Sequence, residues 1–112
     1  MNFSGVIPIL ITPFKEDGSV DYNSIKKIIN FMNTLPLSGI TLLGVLGESA
    51  RLSDIEKRNV IDFVSTLDNS LPVIYGVNSV SPYVSEELAN YAQDKHASAI
   101  MLSPMKENSA MT

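Results

Sequence analysis

The stretch Gly44-Val45-Leu46-Gly47-Glu48-Ser49 combines residue types and a spacing that suit the capture of an anion. Glycines around a strand end let the backbone turn sharply and leave its N–H groups exposed. Such groups, pointing out beyond the carboxyl end of a strand, can hold a carboxylate or phosphate. The same two glycines would also serve a plain βα turn, and the spacing alone leaves both readings open. Glu48 puts a carboxylate at the same place, either as a general base or in a purely structural role. Tyr75 and Asn78 end a later apolar run and could line the same mouth, although Tyr75 suits a core equally well. His96 closes a helical stretch and reads as a solvent-exposed residue, a cation being favourable at a helix C-terminus. Lys15, Lys26, Lys27, Lys57 and Lys95 read as solvated charges, and Lys106 alone falls where a catalytic face would be.

Composition narrows the classes of function. The 112 residues are enough for one domain with a real core. Lys and Arg total 8 against 12 Asp and Glu, a formal charge of -4 with no basic cluster, which argues against nucleic acid and against an anionic membrane surface. The absence of cysteine excludes disulfides and cysteine-based zinc sites. No apolar run approaches the roughly 18 residues of a membrane span. The first residues lack a basic segment ahead of their apolar stretch, unlike a signal peptide. The expectation is a soluble, cytoplasmic protein.

The glycine stretch must be held by the elements on either side. Residues 39–43 are apolar and read as a buried strand leading into it. Ser53 and Glu56 form a capping box for a helix over 53–67, with Asp54 and Glu56 in the first turn and Ile55, Ile61, Val64 and Leu67 as its buried face. Upstream, residues 5–12 read as a first strand in which Pro8 costs a ladder hydrogen bond. Asp21 caps a helix over 22–34, whose stripe is Ile25, Ile28, Ile29, Met32 and Leu35. Downstream, 71–77 form a third strand. Ser81 and Pro82 open a third helix reaching Lys95, with Val84, Leu88, Tyr91 and Ala92 inward. Residues 99–102 form a fourth strand. The order is β-α-β-α-β-α-β with short connections, which implies parallel strands and right-handed crossovers.

Two architectures fit this order: an open doubly wound sheet, or part of a (β/α)8 barrel. A whole barrel needs roughly 200–250 residues. Four strands with three helices therefore read as a truncated half-barrel, with residues 1–112 as the N-terminal half of one TIM-barrel domain. Its inner face would carry Ile9, Ile11, Leu42 and Ile74. A small nucleotide-binding or receiver-type domain would want a phosphate loop or an acidic cluster at the strand ends, and neither is visible.

Several segments resemble a known family. Gly5-Val6-Ile7-Pro8 through Thr12-Pro13-Phe14, Asp17-Gly18-Ser19-Val20-Asp21, Gly44-X-X-Gly47-Glu48-Ser49 with Leu52-Ser53 and Glu56, and Pro72-Val73-Ile74-Tyr75-Gly76-Val77 are similar, in this order, to the dihydrodipicolinate synthase and N-acetylneuraminate lyase family. The resemblance runs to Pro104. It implies a (β/α)8 barrel, usually a homotetramer, that forms a Schiff base between a lysine and pyruvate or a pyruvate-yielding 2-keto acid, with no metal or organic cofactor. It also implies that Gly44, Val45, Leu46, Gly47, Glu48 and Ser49 bind the substrate, the backbone N–H groups cradling its carboxylate.

This sequence departs from the family pattern at three places. Two hydroxyl residues often fill the middle of the motif, where Val45 and Leu46 stand here. The backbone role survives that change and the hydroxyl relay does not. A tyrosine pair often follows the fourth strand, and the relay position by count is Lys106. The Schiff-base lysine and a proton-transfer tyrosine belong to the sixth and fifth strands, beyond Thr112. The resemblance thus implies the N-terminal part of a lyase or aldolase. The alternative is a catalytically inactive half-barrel that associates with another chain.

Overall fold

A computed structural model describes residues 6–44, 52–78 and 81–101. Among these are three helices, α1 (Tyr22–Met32), α2 (Asp54–Ser65) and α3 (Pro82–Asp94), and three strands, β1 (Ile40–Leu42), β2 (Val73–Gly76) and β3 (Ala99–Met101).

Each helix begins where its capping residue satisfies an orphan N–H. The Asp21 carboxylate accepts from the Ser24 amide at 3.1 Å. At α2 the capping box is complete: the Glu56 amide donates to Ser53 Oγ at 3.1 Å, and the Ser53 amide donates to Glu56 Oε1 at 2.8 Å. Ser81 Oγ accepts from the Val84 amide, with Pro82 at the first helical position. His96, at φ +69°, ends α3 in the left-handed region. Helices α2 and α3 are fastened side by side. The Tyr91 hydroxyl donates to Asp62 Oδ1, Lys95 Nζ lies 3.4 Å from the same oxygen, and Arg58 stacks 5.3 Å from the Tyr91 ring centre.

The sheet is parallel in the order β1-β2-β3, with Ile40 opposite Val73, Leu42 opposite Tyr75, and Tyr75 opposite Ile100. These residues face the helices and form the core with Ile25 and Ile29 of α1, Val60, Ile61 and Val64 of α2, and Ala92 of α3. The alternate residues, Thr41, Ile74 and Ala99, share the opposite face.

The fold corrects the sequence reading at five points. Among the described residues there are three strands, not four. The stretch 6–12 runs beside β1 and makes one parallel bridge, Ile9 with Thr41, through Leu10 N–H to Thr41 O at 2.8 Å and Thr41 N–H to Pro8 O at 2.9 Å. Extending the ladder backward would need an N–H from Pro8, which has none. Extending it forward would need a regular strand at Leu43, whose φ is +61°. Leu42 belongs to the helix-facing layer at 2% exposure, and Thr41 takes its place on the inner face. A wholly apolar run carries no alternation to reveal which face is which. Ile55, expected to be buried, is 72% exposed. The buried face of α2 is instead Lys57, Val60, Ile61 and Val64, at the three- and four-residue spacing of one helical stripe. Lys57, expected in solvent, is therefore part of the interior. Helix α1 also stops at its C-cap, Asn33, short of Leu35, which is 37% exposed.

Candidate functional site

The carboxyl ends of β1 and β2 and the first turn of α2 meet at one place. Leu43 leaves β1 at positive φ, a conformation that costs a bulky residue of order 1–3 kcal/mol and gathers near functional loops. Gly44 follows and opens the candidate loop. A Cβ there would stand 2.7 Å from Met101 Cε and 2.9 Å from Thr41 Cγ2, so a side chain larger than hydrogen displaces neighbours on the inner face. Gly76 is held more tightly. A Cβ on it would run into the Leu43 carbonyl oxygen and come within 2.9 Å of Gly44 Cα, both backbone atoms. The end of β1 lies directly against the end of β2 because Gly76 has no side chain.

Beyond Gly76, the Val77 amide donates to the Met101 carbonyl at 3.0 Å, carrying the ladder onto β3. Asn78 is next and is buried at 7% exposure. Its backbone carbonyl accepts from Lys57 Nζ at 3.0 Å. Lys57 is only 4% exposed, and its one ionic contact described is Asp54 Oδ1 at 3.8 Å. Burial pushes its pKa below the usual lysine value, and Asp54 pulls partly the other way. The helices following β1 and β2 both begin at this end, so their N-terminal partial charges add to the ammonium. Among the described residues, no three His, Cys, Asp or Glu side chains are grouped to hold a metal ion.

Of the residues singled out in the sequence, Gly44 and Asn78 lie at this junction. Tyr75 does not. It is buried at 2% exposure, points into the helix-facing core, and its hydroxyl is pushed to a higher pKa by burial. Val45, Leu46, Gly47, Glu48, Ser49 and Lys106 lie outside the described residues. Three residues at the junction escaped the sequence reading. Lys57 was legible from its spacing with Val60, Ile61 and Val64. Gly76 had the signal of a glycine within a strand pattern, which marks close backbone approach. Nothing in the sequence signals the positive φ of Leu43.

The sequence model of the Dihydrodipicolinate synthetase family matches residues 2–104. The chain belongs to the dihydrodipicolinate synthetase family. It is 36% identical over 100 residues to a 4-hydroxy-tetrahydrodipicolinate synthase of Methanothrix thermoacetophila, a match covering 89% of this chain and 34% of that protein. Among solved structures it resembles dihydrodipicolinate synthase from Rhodopseudomonas palustris, with a TM-score of 0.81 and 29% identity over 93% of this chain and 35% of that one. It also resembles N-acetylneuraminate lyase from Mycoplasma synoviae, with a TM-score of 0.80 and 28% identity over 89% of this chain and 35% of that one. The chain thus spans about a third of the length of the family members it matches. Within this dihydrodipicolinate synthetase family member, the Gly44 junction stands at the carboxyl ends of the strands, the end at which barrel enzymes place their chemistry.

Proposed function

We propose that this chain is the N-terminal part of a Schiff-base lyase or aldolase acting on pyruvate or a pyruvate-yielding 2-keto acid. The observation that carries this reading is the motif Gly44-X-X-Gly47-Glu48-Ser49 in a family member whose β1 ends at Leu42, two residues before Gly44, and whose α2 starts at the Ser53 capping box. In the proposed reaction a lysine amine adds to the keto carbon and water is lost, leaving an iminium that accepts electrons as a carbon–carbon bond forms or breaks. The substrate carboxylate must be held still near that lysine, and backbone N–H groups of residues 44–47 would hold it. Val45 and Leu46 offer no hydroxyl for a relay, so the substrate need not be that of the synthase. The Schiff-base lysine belongs to a strand beyond Thr112, and none of the six lysines here occupies its place. A homo-oligomer in the cytoplasm is part of the same reading.

Borohydride reduces an iminium to a stable amine, so pyruvate capture is read as a mass increase on one lysine. The 112-residue chain alone should show no adduct. The longest product of the same gene should be adducted at a lysine beyond Thr112. Absence of any adduct in that product would overturn the reading. An adduct at Lys106 in the short chain would give the fragment chemistry of its own.

A second reading, an inactive half-barrel that pairs with another chain, is favoured by the exposure of Ile9 and Ile11 at 52% and 70%. Both readings place residues 1–112 within one barrel domain.

A further inference from the structure

We propose that Lys57 is a positioning residue for the mouth of the sheet: its ammonium, bonded to the Asn78 carbonyl, sets the end of β2 against the first turn of α2. Its bearing on substrate rests on the reading above, that this mouth holds the keto acid carboxylate. The bond joins residues 21 apart in sequence and is made by two buried partners. It closes a small frame. β1 precedes α2 in the chain, α2 is tied by Lys57 to the end of β2, and the end of β2 lies against Leu43 and Gly44, just past β1, through Gly76. Gly44 and Leu52, the described residues on either side of positions 45–51, are therefore held at a separation that this frame fixes.

Stability alone does not account for a lysine here. The position belongs to the apolar stripe of α2, where a hydrophobic side chain would continue Val60, Ile61 and Val64. Burial disfavours the charged amine, and so does the positive end of the helix dipole in whose first turn it sits. Asp54 is close to half exposed and 3.8 Å away, a weak offset. Replacing a buried charge by an apolar group of similar size is often neutral or stabilising. What the ammonium supplies, and a methionine would not, is a directed bond that holds the Asn78 carbonyl at a set distance from α2.

The test compares the wild-type chain with Lys57→Met, Lys57→Gln and Lys57→Arg, each in the full gene product. Thermal melts report stability, and amide hydrogen exchange at residues 52–57 and 77–78 reports the frame. The pyruvate concentration giving half-maximal borohydride trapping reports the mouth. Lys57→Met and Lys57→Gln should melt close to wild type, exchange at those amides about tenfold faster, and need about tenfold more pyruvate, with little change in the trapping rate at saturation. Lys57→Arg, which keeps the charge and a donor, should recover most of both effects. Met and Gln variants within twofold of wild type in exchange and half-saturation would overturn the proposal. So would failure of both variants to fold, since the lysine would then be a stabilising residue. If the wild-type protein traps no pyruvate, the proposed function fails, while the exchange comparison still decides the role of Lys57.

Discussion

Lys57 shows how one side chain can be misread when its type is weighed above its position. Lysines are rarely buried unless paired, so by residue type alone Lys57 belongs in solvent. Its place on the stripe with Val60, Ile61 and Val64 pointed inward, and the structure follows the spacing. A consequence for pH follows from its environment. Burial holds the folded-state pKa of Lys57 below 10.5, so the folded chain gives up this proton at a lower pH than the unfolded chain. Between the two values the unfolded state binds more protons, and stability rises with pH. The destabilising contribution is full below the folded pKa and disappears as pH climbs toward 10.5. Urea midpoints measured from neutral pH upward should rise for the wild-type chain relative to Lys57→Met. A difference between the two that stays flat over this range would show that the ammonium is not desolvated as described.

At the scale of elements, the parts with strong local codes were legible and the parts set by neighbours were not. The three helices lie where their caps and apolar stripes place them, within a few residues at each end. Asp21, Ser53 and Ser81 each take the capping role their position suggested. The parallel order of the later strands also followed from the alternation of elements. The first strand was overdrawn because an apolar run indicates burial, whereas a ladder needs donors that Pro8 lacks and a backbone that Leu43 abandons. The candidate site was half legible. Gly44 and Asn78 were marked by type and place, whereas the tie to Lys57 and the contact through Gly76 depend on residues brought together by the fold. The α2 cap gives an element-scale prediction. Ser53→Ala removes the hydroxyl that accepts from Glu56 and should cost about 1 kcal/mol in chemical denaturation. Exchange should quicken at the first-turn amides of α2, while the α1 amides stay protected. A variant as stable as wild type would mean that the remaining Ser53 N–H to Glu56 bond suffices to start the helix.

At the scale of the whole molecule, the sheet has one covered face and one open one. Helices α1, α2 and α3 bury Ile40, Leu42, Val73 and Tyr75. On the other side Ile9 and Ile11 stand 52% and 70% exposed, and the preceding Val6 and Ile7 are 49% and 39% exposed. Contiguous exposed apolar side chains drive association, and so do unpaired strand edges. Among the described residues the parallel sheet ends at β3 on one side and at the single bridge of Ile9 on the other. The 112-residue chain by itself should therefore self-associate at micromolar concentration and sediment faster than its 12.2 kDa mass allows. Ile11 is the side chain to change, being the more exposed of the pair and outside the buried core. Ile11→Lys places a charge on the open face and should shift the sedimentation profile toward monomer without altering helix content by circular dichroism. Ile55→Lys supplies the control. Ile55 is equally exposed, at 72%, but stands on α2 and not on the open face, so its charge should leave association unchanged. If the wild-type chain is monomeric with a cooperative melt, the open face is not sticky enough to act. If Ile55→Lys disperses the chain as well as Ile11→Lys does, association runs through net charge and not through the face of the sheet.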